Sequence, residues 1–341
     1  MPESAHRSVS PVSLFAFLAA FTVALAAGPA RAELADPALD THVEVLDNGL
    51  TVLALRDATT PVVSFQIWVK AGSRDESRYT GIAHLFEHMM FKGSKNLGPE
   101  EHARHVEERG GQINAFTSKD VTVYFEDVTP DALPLVIDLE AERFSNLVVT
   151  EEMLASEREV VLEERRMRTE DSPQGRAFEA LLGTAFLAHP YRWPVIGWRS
   201  DVEQVTVEAC QAFFDAYYAP NNLVVAVAGN FDPEPTLARI RGAFGRMEPA
   251  SSIPRNPTTE PEQNGERRAT VHFDVRAPVL SAAWNAPPSG HPDGPALDVA
   301  AEILSSGRSS RLYRRLVYDE QVALSANSAW WELKDTGIFY A

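Results

Sequence analysis

The run Gly81-Ile82-Ala83-His84-Leu85-Phe86-Glu87-His88 constrains this chain more than any other stretch. On a helix of ~3.6 residues per turn, His84 and His88 stack one turn apart on the same face, so both imidazoles reach a single cation. Glu87 is three residues after His84 and next to His88. Its carboxylate reaches the space in front of such a cation without having to bind it, which is where a general base belongs.

His-x-x-Glu-His reverses the His-Glu-x-x-His of ordinary zinc proteases and is the inverzincin signature. A hydrolytic zinc site needs three protein ligands and one open position for water, so a third ligand has to come from elsewhere. The acidic segment Ser156 to Arg166 supplies the candidates. Glu157 and Glu164 are seven residues apart, two turns along one stripe that they share with Val160 and Val161, whereas Glu163 points roughly 100° away. This selects Glu164 as third ligand and Glu157 as an acceptor that orients one histidine. Spacing alone also allows all these glutamates to form a solvated face of a charged helix.

Two further stretches stand in order with the first. Glu157-Arg158-Glu159-Val160-Val161-Leu162-Glu163-Glu164 fits a Glu-Arg-x-Val-x-x-x-Glu pattern, with Glu164 placed 76 residues past His88 (164 − 88 = 76). Between them, Gly110-Gly111-Gln112-Ile113-Asn114-Ala115-Phe116-Thr117 fits Gly-Gly-x-x-Asn-Ala-x-Thr. In these motifs, their order and their separations, the chain resembles the pitrilysin/insulinase family of zinc peptidases, in its shorter, processing-peptidase-like branch. The resemblance spans nearly all of the chain after about residue 40. It implies His84, His88 and Glu164 as ligands of one zinc ion, with Glu87 as the base. It also places Asn114, Ala115 and Thr117 on an edge strand beside the metal, where an extended peptide substrate pairs through backbone hydrogen bonds. A two-histidine, one-glutamate site also accepts manganese or cobalt.

With 341 residues, 45% of them hydrophobic, the chain is long enough for two domains. A formal charge of −17 argues against a nucleic-acid partner. The acidic excess either lines a cavity that favours basic, extended polypeptides or is spread over the surface as solubility charge. The single cysteine, Cys210, excludes an intrachain disulfide, and its neighbours Val207, Phe213 and Phe214 suggest a buried helical position.

His6 and Arg7 precede an apolar stretch from Val12 to Ala27, followed by Gly28-Pro29-Ala30-Arg31-Ala32. Residues 1–32 therefore read as a secretory signal with an Ala-x-Ala site, removed before Glu33. A retained N-terminal anchor is the competing reading. No later segment is long and apolar enough to cross a bilayer, and no cysteine sits at the cleavage point to carry a lipid. The placement that follows is a bacterial periplasm, with no stable membrane insertion after signal cleavage.

The mature chain reads as α+β, in the form of two homologous αβ-roll domains, each a mixed or antiparallel sheet with helices packed on it. Residues 40–245 hold the motifs. Strands are expected at His42–Leu46, Thr51–Leu55, Val62–Val69, Ile113–Thr117, Thr122–Val128 and Leu223–Ala228. Residues 246–267 read as a linker, rich in Pro, Ser, Asn, Thr and Glu. Residues 268–341 start a second, degenerate and inactive unit, with strands over Ala269–Val275 and Val279–Ala286 and a helix over Pro295–Ser305. Its length suggests that this unit is incomplete.

Single-chain members of the family carry an Arg and, seven residues later, a Tyr in this second unit. The corresponding positions here are Val317 and Leu324, neither of which donates a hydrogen bond. The resemblance thus implies the zinc-bearing half of a heterodimer, whose homologous, zinc-lacking partner supplies Arg and Tyr. Nearby Arg311, Arg314, Arg315 or Tyr318 is the alternative source. A non-catalytic structural or assembly subunit of the same fold is the rival reading of function. His102 and His105 read as one exposed amphipathic helix, and His189 is given no catalytic role.

Overall fold

The computed structural model describes residues 41–341, so the signal read at residues 1–32 lies outside the described residues. A hairpin opens the fold: β1 (His42–Val45) and β2 (Thr51–Arg56) flank a turn in which Gly49 takes φ +83°. In β3 (Val63–Val69), buried Val63, Phe65, Ile67 and Val69 alternate with Ser64, Gln66 and Trp68, the period-two pattern of a strand covered on one face. Then follow α1 (Ile82–Met89), α2 (Glu101–Glu107), β4 (Gln112–Thr117), β5 (Thr122–Val128) and α3 (Leu133–Asn146). After them, α4 (Glu151–Arg165) runs into a π-helical turn over Arg166–Glu170. The unit ends with α5 (Pro173–Ala185), α6 (Arg199–Val202), α7 (Val207–Tyr217), β6 (Leu223–Gly229) and α8 (Pro233–Phe244).

The six strands are ordered β1-β2-β6-β3-β5-β4, antiparallel throughout except for the parallel pair β2 and β6. This is the mixed sheet with packed helices expected from the sequence. β4 forms one edge, and α1 packs between that edge and α4. The inner flank of α1 is apolar: Leu85, Phe86 and Met89 are fully buried. The Phe86 ring meets those of Phe213, Phe214 and Tyr218 at centroid separations of 5.9, 5.8 and 4.9 Å. Each such buried side chain contributes about 2 kcal/mol, so the helix is held by its apolar flank and its polar flank is left to a cleft.

The start of α1 is fixed by two devices. Gly81 caps it at φ +86°, where a Cβ would lie 2.6 Å from the Ile196 carbonyl oxygen and 2.8 Å from Gly197 Cα. The buried Glu76 carboxylate accepts from the Gly81 and Ala83 amides, both at 3.0 Å, which satisfies two of the free donors of the first turn. Gly81→Ala is therefore expected to cost about 2 kcal/mol or more, from the left-handed backbone and the backbone clash together. A thermal melt several degrees below wild type checks this; an unchanged melt would show that the loop yields freely.

The second sheet is antiparallel, β7 (Ala283–Ala286), β9 (Gly337–Tyr340) and β8 (Ala329–Trp331) in that order, with α9 (Gly294–Ser305) beside it. A small cluster of Leu182, Phe186, Tyr191, Leu333 and Ile338 joins α5 to this sheet. Here the structure departs from two sequence expectations. No strand forms over 269–275, and the strand expected from Val279 starts only at Ala283. A strand exists through its hydrogen-bonded neighbours, and Val271, Phe273 and Val275 lie exposed with no pairing strand among the described residues.

His102 departs further. It lies inside, at 6% exposure, because His102 and Val106 are four residues apart on the flank of α2 that covers the sheet. Its Nε2 stands 3.4 Å from Glu126 and 3.8 Å from Glu140. Burial pushes this imidazole down to about 3, so it is neutral at ordinary pH. Cys210 is buried in α7, as its neighbours suggested, and burial pushes the thiol up to about 12.

Candidate metal centre

α1 presents His84 and His88 side by side, with ring centroids 4.9 Å apart. α4 crosses in front of them and brings Glu164 Oε2 to 3.7 Å from His84 Nε2 and 3.6 Å from His88 Nε2. Ligand atoms ~2.0–2.1 Å from a tetrahedral zinc are themselves separated by roughly 3.4 Å. Two imidazole nitrogens and a carboxylate oxygen at these separations therefore fit the ion, in both spacing and donor chemistry. Glu163, the neighbour on α4, faces solvent and pairs with Arg166 at 2.5 Å.

Glu157 lies two turns before Glu164 and is 5% exposed; its Oε2 stands 3.3 Å from His88 Nδ1. With Nδ1–H donating to this carboxylate, His88 Nε2 carries its lone pair toward the Glu164 oxygen. Lys92 holds the other Glu157 oxygen at 2.9 Å and reaches Glu100 at 2.8 Å. Arg168 binds the outer oxygen of Glu164, Oε1, at 2.5 Å, which leaves Oε2 turned toward the histidines. Glu157→Gln keeps the size but weakens the acceptor, and metal affinity is expected to fall about 10–100-fold. Competition with a chelator measures this; unchanged affinity would show that His88 needs no orienting partner.

The electrostatics of the site follow from burial and neighbours. Burial, with His88 beside it, pushes the His84 imidazole down to about 4. Burial also opposes charge on His88, but the neighbouring Glu164, Glu87 and Glu157 carboxylates outweigh this and raise it. Glu164 is lowered, first by the His88 imidazole beside it. Glu87, 9% exposed, is raised by burial, opposed by a hydrogen bond from the Thr117 hydroxyl, so it is the more basic carboxylate of the two.

These residues share a cleft of about 500 Å³ with Asn114, Ala115 and Phe116 of the edge strand β4. Asn114 is exposed, and its Oδ1 accepts from the Ala115 amide at 2.8 Å. Neither Val317 nor Leu324 lines this cleft, and Leu324 is 87% exposed. Sequence reasoning passed over Lys92, Glu100, Arg168 and Glu76. Arg168 had a signal, four residues past Glu164 on the same helical face; Glu76 had none, because its bonds cross a loop. Asp335, from the loop before β9, approaches His189 Nε2 at 3.3 Å, and neither residue lines the cleft.

Buried His102, Glu126 and Glu140 form a second group of potential donors among the described residues. There the Arg143 guanidinium already supplies the cation, bonded to Glu140 through Nε at 2.8 Å and stacked 4.7 Å above the Tyr124 ring.

The chain is similar to known proteins in both sequence and fold. Residues 51–197 match the family described as insulinase (peptidase family M16), and residues 204–341 match the peptidase M16 inactive domain. The zinc protease PqqE of Helicobacter pylori is 35% identical over 307 residues, 88% of this chain and 69% of that protein. The uncharacterized zinc protease Rv2782c of Mycobacterium tuberculosis is 34% identical over 312 residues, 90% of this chain and 71% of that one. In three dimensions, the crystal structure of a protease from Helicobacter pylori matches with a TM-score of 0.86 at 34% identity, covering 88% of this chain and 73% of that one. The periplasmic protease PqqL from Escherichia coli shares the fold, with a TM-score of 0.70 at 22% identity over 88% of this chain and 35% of that one. With two family domains matched between residues 51 and 341, and a relative 35% identical of which it spans 69%, the chain belongs to the insulinase family of peptidases, M16.

Proposed function

We propose that the chain is a zinc-dependent endopeptidase that hydrolyses unfolded peptides or small proteins in the cell envelope. The observation that carries this reading is the convergence of His84, His88 and Glu164, whose donor atoms all lie within 4.8 Å of one another and whose Glu164 Oε2 stands 3.7 and 3.6 Å from the two imidazoles, with the buried Glu87 carboxylate in the same cleft. His84, His88 and Glu164 would hold the zinc ion, which would supply Lewis acidity at the mouth of the cleft. Glu87 takes the proton of the attacking water and passes it to the leaving amine. An extended substrate pairs with the free edge of β4 at Asn114 and Ala115, which selects an unfolded backbone over a particular sequence.

The organisation that goes with this is a peptidase domain over residues 40–245, a linker over 246–267 and a degenerate, inactive domain from 268. Val317 and Leu324 offer no donor to a developing oxyanion, which supports a heterodimer whose homologous, zinc-lacking subunit brings Arg and Tyr. The same two residues support the rival reading, a non-catalytic subunit. Among the described residues no helix is long and apolar enough to cross a membrane, and the leader-like residues 1–32 support a periplasmic location.

Cleavage of an unstructured quenched fluorescent peptide, by the zinc-loaded chain alone and with its co-purifying partner, separates the readings. Activity that requires the partner is the expected result. Activity of the chain alone contradicts the heterodimer, and inactivity in both states contradicts the peptidase.

A further inference from the structure

Resting on the reading of Glu87 as base, we infer that Thr117 is a positioning residue for the Glu87 carboxylate and not a substrate contact. The Thr117 hydroxyl lies 2.6 Å from Glu87 Oε2 and 3.4 Å from the hydroxyl of Thr122, the residue opposite it on β5. Thr122 is 1% exposed and donates its own proton to the Ala71 carbonyl at 3.1 Å. Its oxygen is left only to accept, so two acceptors stand open to the Thr117 hydroxyl, Glu87 Oε2 at 2.6 Å and Thr122 Oγ1 at 3.4 Å. The single Thr117 proton goes to the near, charged acceptor, Glu87 Oε2.

This donor stands on rigid backbone. Thr117 ends an edge strand, where a β-branched side chain has restricted χ1. The turn that follows is closed by Ser118 N–H to the Val121 carbonyl at 2.8 Å. It is fastened to the preceding loop by Ser73 N–H to the Ser118 carbonyl and Arg74 N–H to the Lys119 carbonyl, both at 3.0 Å. A Cβ on Gly72 would fall 2.5 Å from the Ser118 carbonyl oxygen, so the two strips of backbone lie as close as glycine permits. The same loop supplies Ala71, which orients Thr122, and Glu76, which caps α1. One strip of chain, 71–76, thus sets both the helix that carries Glu87 and the hydroxyl that pins one of its oxygens. Oε2 is held and Oε1 remains for the proton that moves.

The test compares the full chain as wild type, Thr117→Val, Thr117→Ser and Glu87→Gln, all zinc-loaded and with the co-purifying partner present. Cleavage of the quenched peptide gives kcat and KM, and chelator competition gives zinc affinity. Valine is expected to lower kcat about 10–100-fold, with KM within about twofold, and serine to restore most of the rate. Zinc affinity is expected to match wild type in both variants, because Thr117 touches no ligand. A rise in KM at constant kcat would make Thr117 a substrate contact and overturn the inference. So would wild-type kinetics in the valine variant, equal losses in valine and serine, or a loss of zinc. Glu87→Gln separates the two levels: if it is inactive while valine is unaffected, the base reading stands and the inference fails, and if it is as active as wild type, both fail.

Discussion

Glu87→Gln is expected to bind zinc as tightly as wild type and to lose about 10³-fold or more in kcat/KM, since proton transfer by a positioned carboxylate is worth roughly 10²–10⁴. The substitution keeps volume and one acceptor oxygen, and Thr117 still has a partner, so the cleft is preserved. What disappears is the group able to take a proton. Glu87 suits that task because burial raises its carboxyl while the Thr117 hydrogen bond keeps the anion accessible. Peptide cleavage and bound zinc, measured on the same preparation, check the expectation. A glutamine variant with wild-type turnover would remove Glu87 from the chemistry.

The second large effect concerns the metal itself. Glu164→Gln replaces the anionic donor that closes the triangle with His84 and His88 at 3.7 and 3.6 Å. Zinc affinity is expected to fall by more than the ~10–100-fold that loss of an outer partner such as Glu157 costs. Glu163→Gln is the matched control, since that side chain pairs with Arg166 on the far side of α4. Metal content after dialysis against a weak chelator should be lost in the first variant and kept in the second. Equal retention in both would mean that Glu164 is no ligand.

The parts of this site legible in the sequence are those with local geometry. His84, Glu87 and His88 lie within one helical turn, and Glu157 and Glu164 within two, so the helix period alone places them on common faces. That α1 and α4 meet depends on the whole fold, and only the family resemblance anticipated it. The burial of His102 was illegible because its partners come from β5 and α3, and a helix that reads as polar on both sides gives no sign of which side the sheet will cover. Val160 shows the same limit: the helical period puts it on one stripe with Val161, yet Val161 is buried and Val160 is 48% exposed. The strand expected at 269–275 has the right alternation, and what it lacks, a hydrogen-bonding neighbour, is not a property of its own residues.

The most direct test is a zinc titration of the metal-stripped full chain, with its co-purifying partner present, following bound metal and peptide cleavage together. The account predicts no cleavage in the stripped protein and a rate that rises in step with occupancy to a plateau at one zinc per chain. Cleavage that persists without metal, or a chain that fills with one zinc and still cleaves nothing, would contradict it.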